Sequence, residues 1–183
     1  MEMYEKWNLT ENEWNFLITF PFFVAKDVAL ADGFLNPEEY YPFSNLIYQA
    51  SIKKDDWAFI DICKALQDLI DREVDLDEHT DKLLSDKDLF NQPDETFNRK
   101  EVICDHYKPL INYFDKENKE KILEFIGYLG FETAACYGIP DNPIDPNEDA
   151  ILADYINWLS IDFNKLSNEK NKKSFFKSLN LNS

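Results

Sequence analysis

The chain has 183 residues, an apolar content of 44% and a formal charge of −17, with 36 Asp and Glu against 19 Lys and Arg. That excess of negative charge excludes ordinary nucleic-acid binding by phosphate neutralisation, which needs clustered Lys and Arg, and it opposes docking on anionic membrane. Four Gly argue against an all-β or loop-rich design, while fifteen Phe, nine Tyr and four Trp can fill a real core.

In chain order, Thr10-Glu11-Asn12-Glu13 has the form of a capping box. It predicts a helix from there to about Asp32, kinked near Pro21 and stopped by Gly33. Asn36 as N-cap, Pro37 at the first helical position and Glu39 as capping partner predict the next helix, with Phe43, Leu46, Ile47 and Ala50 as its apolar stripe. Asp55 to Ile70 reads as a third helix and Asp71 to Asp77 as an acidic connector. A short helix is expected from His79 to Leu84, then irregular chain over 85–94. Another helix is expected from Glu95 to Phe114 with a kink at Pro109, and a long one from Lys116 to Tyr137. Asp145-Pro146-Asn147-Glu148 repeats the start signal, and Ser174 to Leu179 forms a last short helix. No alternating strand segment occurs, so the fold class is all-α, a compact helical bundle.

Charge is uneven along the chain. Residues 55–95 hold fourteen Asp and Glu against four Lys and Arg; from Lys165 onward there are five Lys and one Glu. A basic tail of that kind could fold back on the acidic body or be solvated, and solvation is the default. Cys63, Cys104 and Cys136 are scattered, with no CxxC, and the N-terminus has no basic stretch. Both features point to a reducing, cytoplasmic setting without a secretory signal. The apolar run Phe16 to Ala25 is too short to span a bilayer, so no membrane insertion is expected.

A doubled phrase organises the chain. Aligning Pro37 with Pro146 pairs Leu35 with Ile144, Asn36 with Asp145, Glu39 with Glu148, Phe43 with Leu152 and Ile47 with Ile156. The second copy has four more residues between its Gly and its Pro. One helix-loop-helix unit is thus expected twice, over about 12–70 and 116–162, with connecting helices in 71–115 and a basic tail over 165–183. The phrase Val28-Ala29-Leu30-Ala31-Asp32-Gly33, followed by Leu35-Asn36-Pro37-Glu38-Glu39, resembles the TerB-like family, named for a bacterial tellurite-resistance protein. The resemblance implies a compact helical bundle with a pseudo-repeat, a role in bacterial stress response or defence, and no firmly attached enzymatic activity. It also implies an acidic helix junction considered as a metal site. Tyr137 stands where Asp32 would be, so that site should not recur in copy two.

Candidate residues follow from these patterns, each beside its plainer reading. Asp32, Glu38 and Glu39, with Asp27 near them, form an oxygen-rich junction suited to Ca²⁺ or Mg²⁺, but Glu39 also serves as a cap. Asp141, Asn142, Asp145, Glu148 and Asp149 are superficially a calcium loop, but lack its turn glycine and distal Glu, and Asp145 is better explained as an N-cap. Asp71, Glu73, Asp75, Asp77 and Glu78 offer a negative face to a basic partner, or else are a solvated connector. Tyr40 and Tyr41 cannot both face inward, so one is a candidate contact residue. Cys104-Asp105-His106 is neither a zinc signature nor a catalytic pair; a buried Cys104 and partly exposed His106 are expected. The functional expectation is a non-enzymatic acidic interaction module that recruits a protein with a basic surface. The alternative is an inhibitor or immunity protein whose acidic face occupies the nucleic-acid channel of a basic target.

Overall fold

The computed structural model describes residues 3–31, 40–85, 99–135 and 144–178. They form ten helices and no strand among the described residues: α1 (Met3–Lys6), α2 (Glu11–Ala29), α3 (Tyr40–Ser51), α4 (Ala58–Asp71), α5 (Leu76–Leu84), α6 (Arg99–Ile111), α7 (Lys116–Ala134), α8 (Pro146–Leu159), α9 (Phe163–Leu166) and α10 (Glu169–Ser178). The all-α bundle is therefore as expected.

α2 is the axis of the bundle. Its start is the expected capping box: Thr10 accepts the Glu13 amide, and Glu13 accepts the Thr10 amide at 2.8 Å. From Trp14 to Ala29 it buries side chains all round, including Phe20, Pro21, Phe22 and Val24. A helix apolar on every side must be surrounded, and α3 to α8 all pack against it. Phe20 stacks on Tyr107 of α6 with ring centroids 3.7 Å apart, and meets Tyr155 of α8 edge-on at 6.4 Å. α7, equally long, lies beside α2 and also carries α3, α4 and α8. Its two glycines permit close approach of α8 and α9: a Cβ on Gly130 would sit 2.8 Å from Leu152 Cδ1, and one on Gly127 2.6 Å from Leu166 Cδ1. α8 starts as expected, with Asp145 as N-cap, Pro146 in the first turn and Glu148 closing a capping box.

Several boundaries differ from expectation. α4 begins at Ala58 rather than Asp55, after Trp57 in extended conformation. α5 begins at Leu76, so the acidic connector is shorter than Asp71 to Asp77. Asp75 accepts the amides of Asp77 and Glu78, both at 3.0 Å, and acidic groups in a first turn favour the helix dipole. α7 ends at Ala134, before the expected Tyr137. α1 and α9 were not foreseen. The starts near Asn36 and Glu95, and the loop after Tyr137, lie outside the described residues.

The tail is the largest correction. Of the two alternatives, fold-back holds and the default of a solvated tail does not: α10 starts at Glu169, five residues before the expected Ser174, and buries Phe175 and Phe176, and Leu166 of α9 is buried too. Phe175 lies 4.7 Å from the Tyr128 ring and 6.3 Å from that of Phe59. Lys172 reaches Glu132 at 2.7 Å. Burying one Phe is worth roughly 1.5–3 kcal/mol, more than an exposed ion pair, so the aromatics decide where this segment goes.

Candidate functional site

The acidic residues proposed for partner binding come together at the α4–α5 junction. α4 ends in a left-handed cap: Glu73 has φ 56°, its amide donates to Ile70 O, and that of Val74 donates to Leu69 O. This pair of bonds turns the chain sharply and satisfies the last carbonyls. Val74 and Leu76 are half-buried, and Thr80 and Leu83 of α5 are buried. α5 packs on α2. Around this turn-and-helix Asp68, Asp71, Glu73, Asp75, Asp77, Glu78 and Asp81 are exposed. Two bases, Arg72 and Lys82, are exposed among them.

The carboxylates are not equivalent. Asp75 is an N-cap. Asp77 is paired with Lys26 of α2, which fastens α5 to the axis of the bundle. Asp71 accepts from Gln67 Nε2 at 2.7 Å, and Asp68 from Arg72 at 3.2 Å. Glu73 and Glu78 project at the turn and in the first turn of α5. Beneath the acidic residues, burial first and the Lys82 charge second lower the His79 pKa from its ordinary value.

Tyr41 is 70% exposed, in keeping with its role as a candidate contact residue. Tyr40 starts α3, but its side chain lies outside the described residues, as do Asp32, Glu38 and Glu39 entirely. Asp27, grouped with them in the sequence, is engaged elsewhere: its Oδ2 accepts from Tyr155 Oη at 2.9 Å and meets Lys100 Nζ at 2.8 Å. In the second phrase, Asp145 and the buried Glu148 close the capping box of α8, so both oxygens sets have structural work; Asp141 and Asn142 lie outside the described residues. Among the described residues no group of three or more His, Cys, Asp or Glu is placed to hold a metal ion.

Cys63 and Cys104 are buried, and burial pushes both thiols up, Cys104 to about 12. A nucleophilic thiol needs the opposite shift. His106 is partly exposed and its Nδ1 bonds Val102 O at 2.9 Å, within its own helix.

Three features escaped the sequence. Lys6 of α1 reaches Asp61 of α4 at 2.6 Å and Asp56 at 2.5 Å, and Trp7 Nε1 donates to Asp61 at 3.2 Å. Asp61 is buried, so its charge is answered inside the fold. A cleft of about 300 Å³ runs between α7 and the α8–α9 corner, over Leu123, Ile161 and Leu166, with Glu124 and Lys165 at its edge. The third is an exposed stripe on α3, where Tyr48 and Ile52 join Tyr41. Only spacing along one helix could have signalled that stripe; the other two join residues distant in sequence.

The fold and these surfaces define an acidic all-α bundle. No described helix is long and apolar enough to cross a membrane. Comparison with family models, with curated proteins and with solved structures gives no match.

Proposed function

We propose that this protein is a non-enzymatic interaction module that recruits a partner with a basic surface. The observation that carries the reading is the α4–α5 junction, where seven exposed carboxylates stand with two bases on one short, helix-capped unit. The resemblance of the Val28–Glu39 phrase to TerB-like proteins supports the same reading, and would place it in a bacterial stress or defence system. The mechanism is long-range attraction of a basic patch to these carboxylates, followed by short-range contacts around the junction. Such attraction speeds encounter and falls with salt.

The test uses poly-L-lysine of defined length as the probe, read by stopped-flow association at several salt concentrations. In one variant Asp71→Asn, Glu73→Gln, Glu78→Gln and Asp81→Asn neutralise the junction. In a second, Glu101→Gln, Glu117→Gln, Asp149→Asn and Asp154→Asn remove the same charge elsewhere. The junction variant should associate several-fold more slowly and with a flatter salt dependence than the control variant. Equal effects of the two variants would mean that only net charge matters, and the reading would fall.

A further inference from the structure

α3 alone among the ten described helices carries no Asp, Glu, Lys or Arg. In a chain of charge −17 that is a specific departure. Its inner face buries Phe43, Leu46, Ile47 and Ala50 against α4, α7 and α2. Its outer face presents Tyr41, 70% exposed, Tyr48, 51%, and Ile52, 55%, with half-buried Asn45 between them. The Ile52 amide still donates to Tyr48 O, so the stripe continues through Ile52.

The steps along the stripe are four, three and four residues. This is the seam spacing of paired helices, in which apolar side chains at alternate steps of three and four meet a partner helix. A lone Asn within such a seam sets register and the number of strands, at some cost in stability. We propose that α3 pairs with α3 of a second copy of this chain, antiparallel about a two-fold axis. Tyr41 then lies opposite Ile52 of the second copy, and Asn45 opposite its Tyr48, whose hydroxyl can hydrogen-bond the amide.

Charge selects this occupant and this direction. Two copies repel wherever acidic surfaces approach; the uncharged helix is where that repulsion is least. A basic partner finds no carboxylate on this helix to attract it. A parallel pair would crowd Lys53 and Lys54 of both copies at one end, whereas the antiparallel pair keeps them apart and opposes the helix dipoles favourably. A single short helix makes a small interface, so the dimer should be weak, with a dissociation constant on the order of 10 μM or more.

Sedimentation equilibrium of the full chain between micromolar and submillimolar concentration tests this. The mass should rise from 21.6 kDa towards twice that value as concentration increases. Salt should strengthen the association by screening like charge, opposite to its effect on binding a basic partner. Tyr48→Asp and Ile52→Asp should each raise the dissociation constant at least tenfold while leaving the helical circular dichroism and Tm unchanged. In a Cys136→Ser background, a Tyr41→Cys chain mixed with an Ile52→Cys chain should form a mixed disulfide in preference to either symmetric one. A monomer at every concentration, a dimer indifferent to both Asp variants, or preferential Tyr41→Cys self-crosslinking would each overturn the proposal.

Discussion

Asn118 sits at the start of α7, but its side-chain oxygen accepts the amide of Ala58 at the start of α4, 2.8 Å away. Trp57, the residue before α4, makes no side-chain cap of its own. One helix thus supplies the cap that another lacks, while Asn118 Nδ2 is held by Asp115, the cap of α7, at 2.9 Å. Both helix starts are locked together through one buried amide.

Replacing it should therefore be costly. Asn118→Leu keeps the bulk but leaves the Ala58 amide buried without an acceptor, a loss of about 1–3 kcal/mol. Denaturant unfolding measures it; a change below about 0.5 kcal/mol, the range of an ordinary surface substitution, would show that the cap is dispensable.

The tail offers a second check. Phe175→Ala empties the space against Tyr128 and Phe59 and should cost about 3 kcal/mol, whereas Lys173→Ala, on the exposed side of α10, should cost little. Equal and small effects would return the tail to solvent.

The two glycines of α7 should respond differently to alanine. Gly130→Ala meets only the Cδ1 tip of Leu152 below 3.0 Å, which a small rotation relieves, so better helix propensity leaves the change near neutral. Gly127→Ala meets Cδ1, Cδ2 and Cγ of Leu166, so the whole side chain must shift, at a cost of about 1–3 kcal/mol. Adding Leu166→Ala should make Gly127→Ala itself less harmful, a coupling that a double-mutant cycle reads directly.

Glu73 and Ser160 occupy left-handed positions, φ 56° and 57°, at the ends of α4 and α8. Glycine adopts that conformation without strain, so Ser160→Gly should raise stability by up to about 1 kcal/mol, net of the freedom glycine adds to the unfolded chain. Ser160→Val should lower it. The opposite order in Tm would contradict the cap geometry.

Stability should fall on the alkaline side. Burial raises the Cys63, Cys104 and Tyr107 pKa values. For Lys6 burial lowers the pKa, but hydrogen bonds and the charges of Asp56 and Asp61 outweigh it, and the net shift is upward. Every one of these raised values contributes stability that is full below the unfolded pKa and lost as pH rises towards the folded one. The decline should thus begin near the free-thiol pKa of about 8.5 and steepen beyond about 10. In a Cys136→Ser background, Ellman's reagent at pH 8 should label neither remaining thiol until the protein unfolds; prompt labelling would refute their burial. Acid should act at Asp115, lowered by the Asn118 amide, and at Asp56, lowered by Lys6: their contribution is present above the unfolded carboxylate pKa and lost as pH falls through the folded one.

Helix starts were legible because their signals are local. Thr10 with Glu13, and Asp145 with Glu148, lie three residues apart and close their boxes within one turn. Asp75 was missed as a cap because it stood in a run of like residues, where composition suggested a connector. A last helix was expected only from Ser174, and α10 begins five residues earlier; its docking was not legible because the five lysines dominate the charge count, although burial of Phe175 and Phe176 is the larger free energy.

The candidate surface was half legible. Asp71, Glu73, Asp75, Asp77 and Glu78 could be named from sequence as an acidic run. Which of them hold the fold could not: Asp77 pairs with Lys26, fifty-one residues away.

Sequence by itself determined the all-α class, the starts of α2, α7 and α8 and the imbalance of charge, since each depends on residues within a turn or on simple sums. Tertiary structure decided that Asn118 caps α4, that Asp61 holds Lys6, that the basic tail closes over Tyr128, and that α3 keeps an uncharged stripe in solvent. Those outcomes depend on distances between segments far apart in the chain, which packing of the core sets and local propensity does not encode.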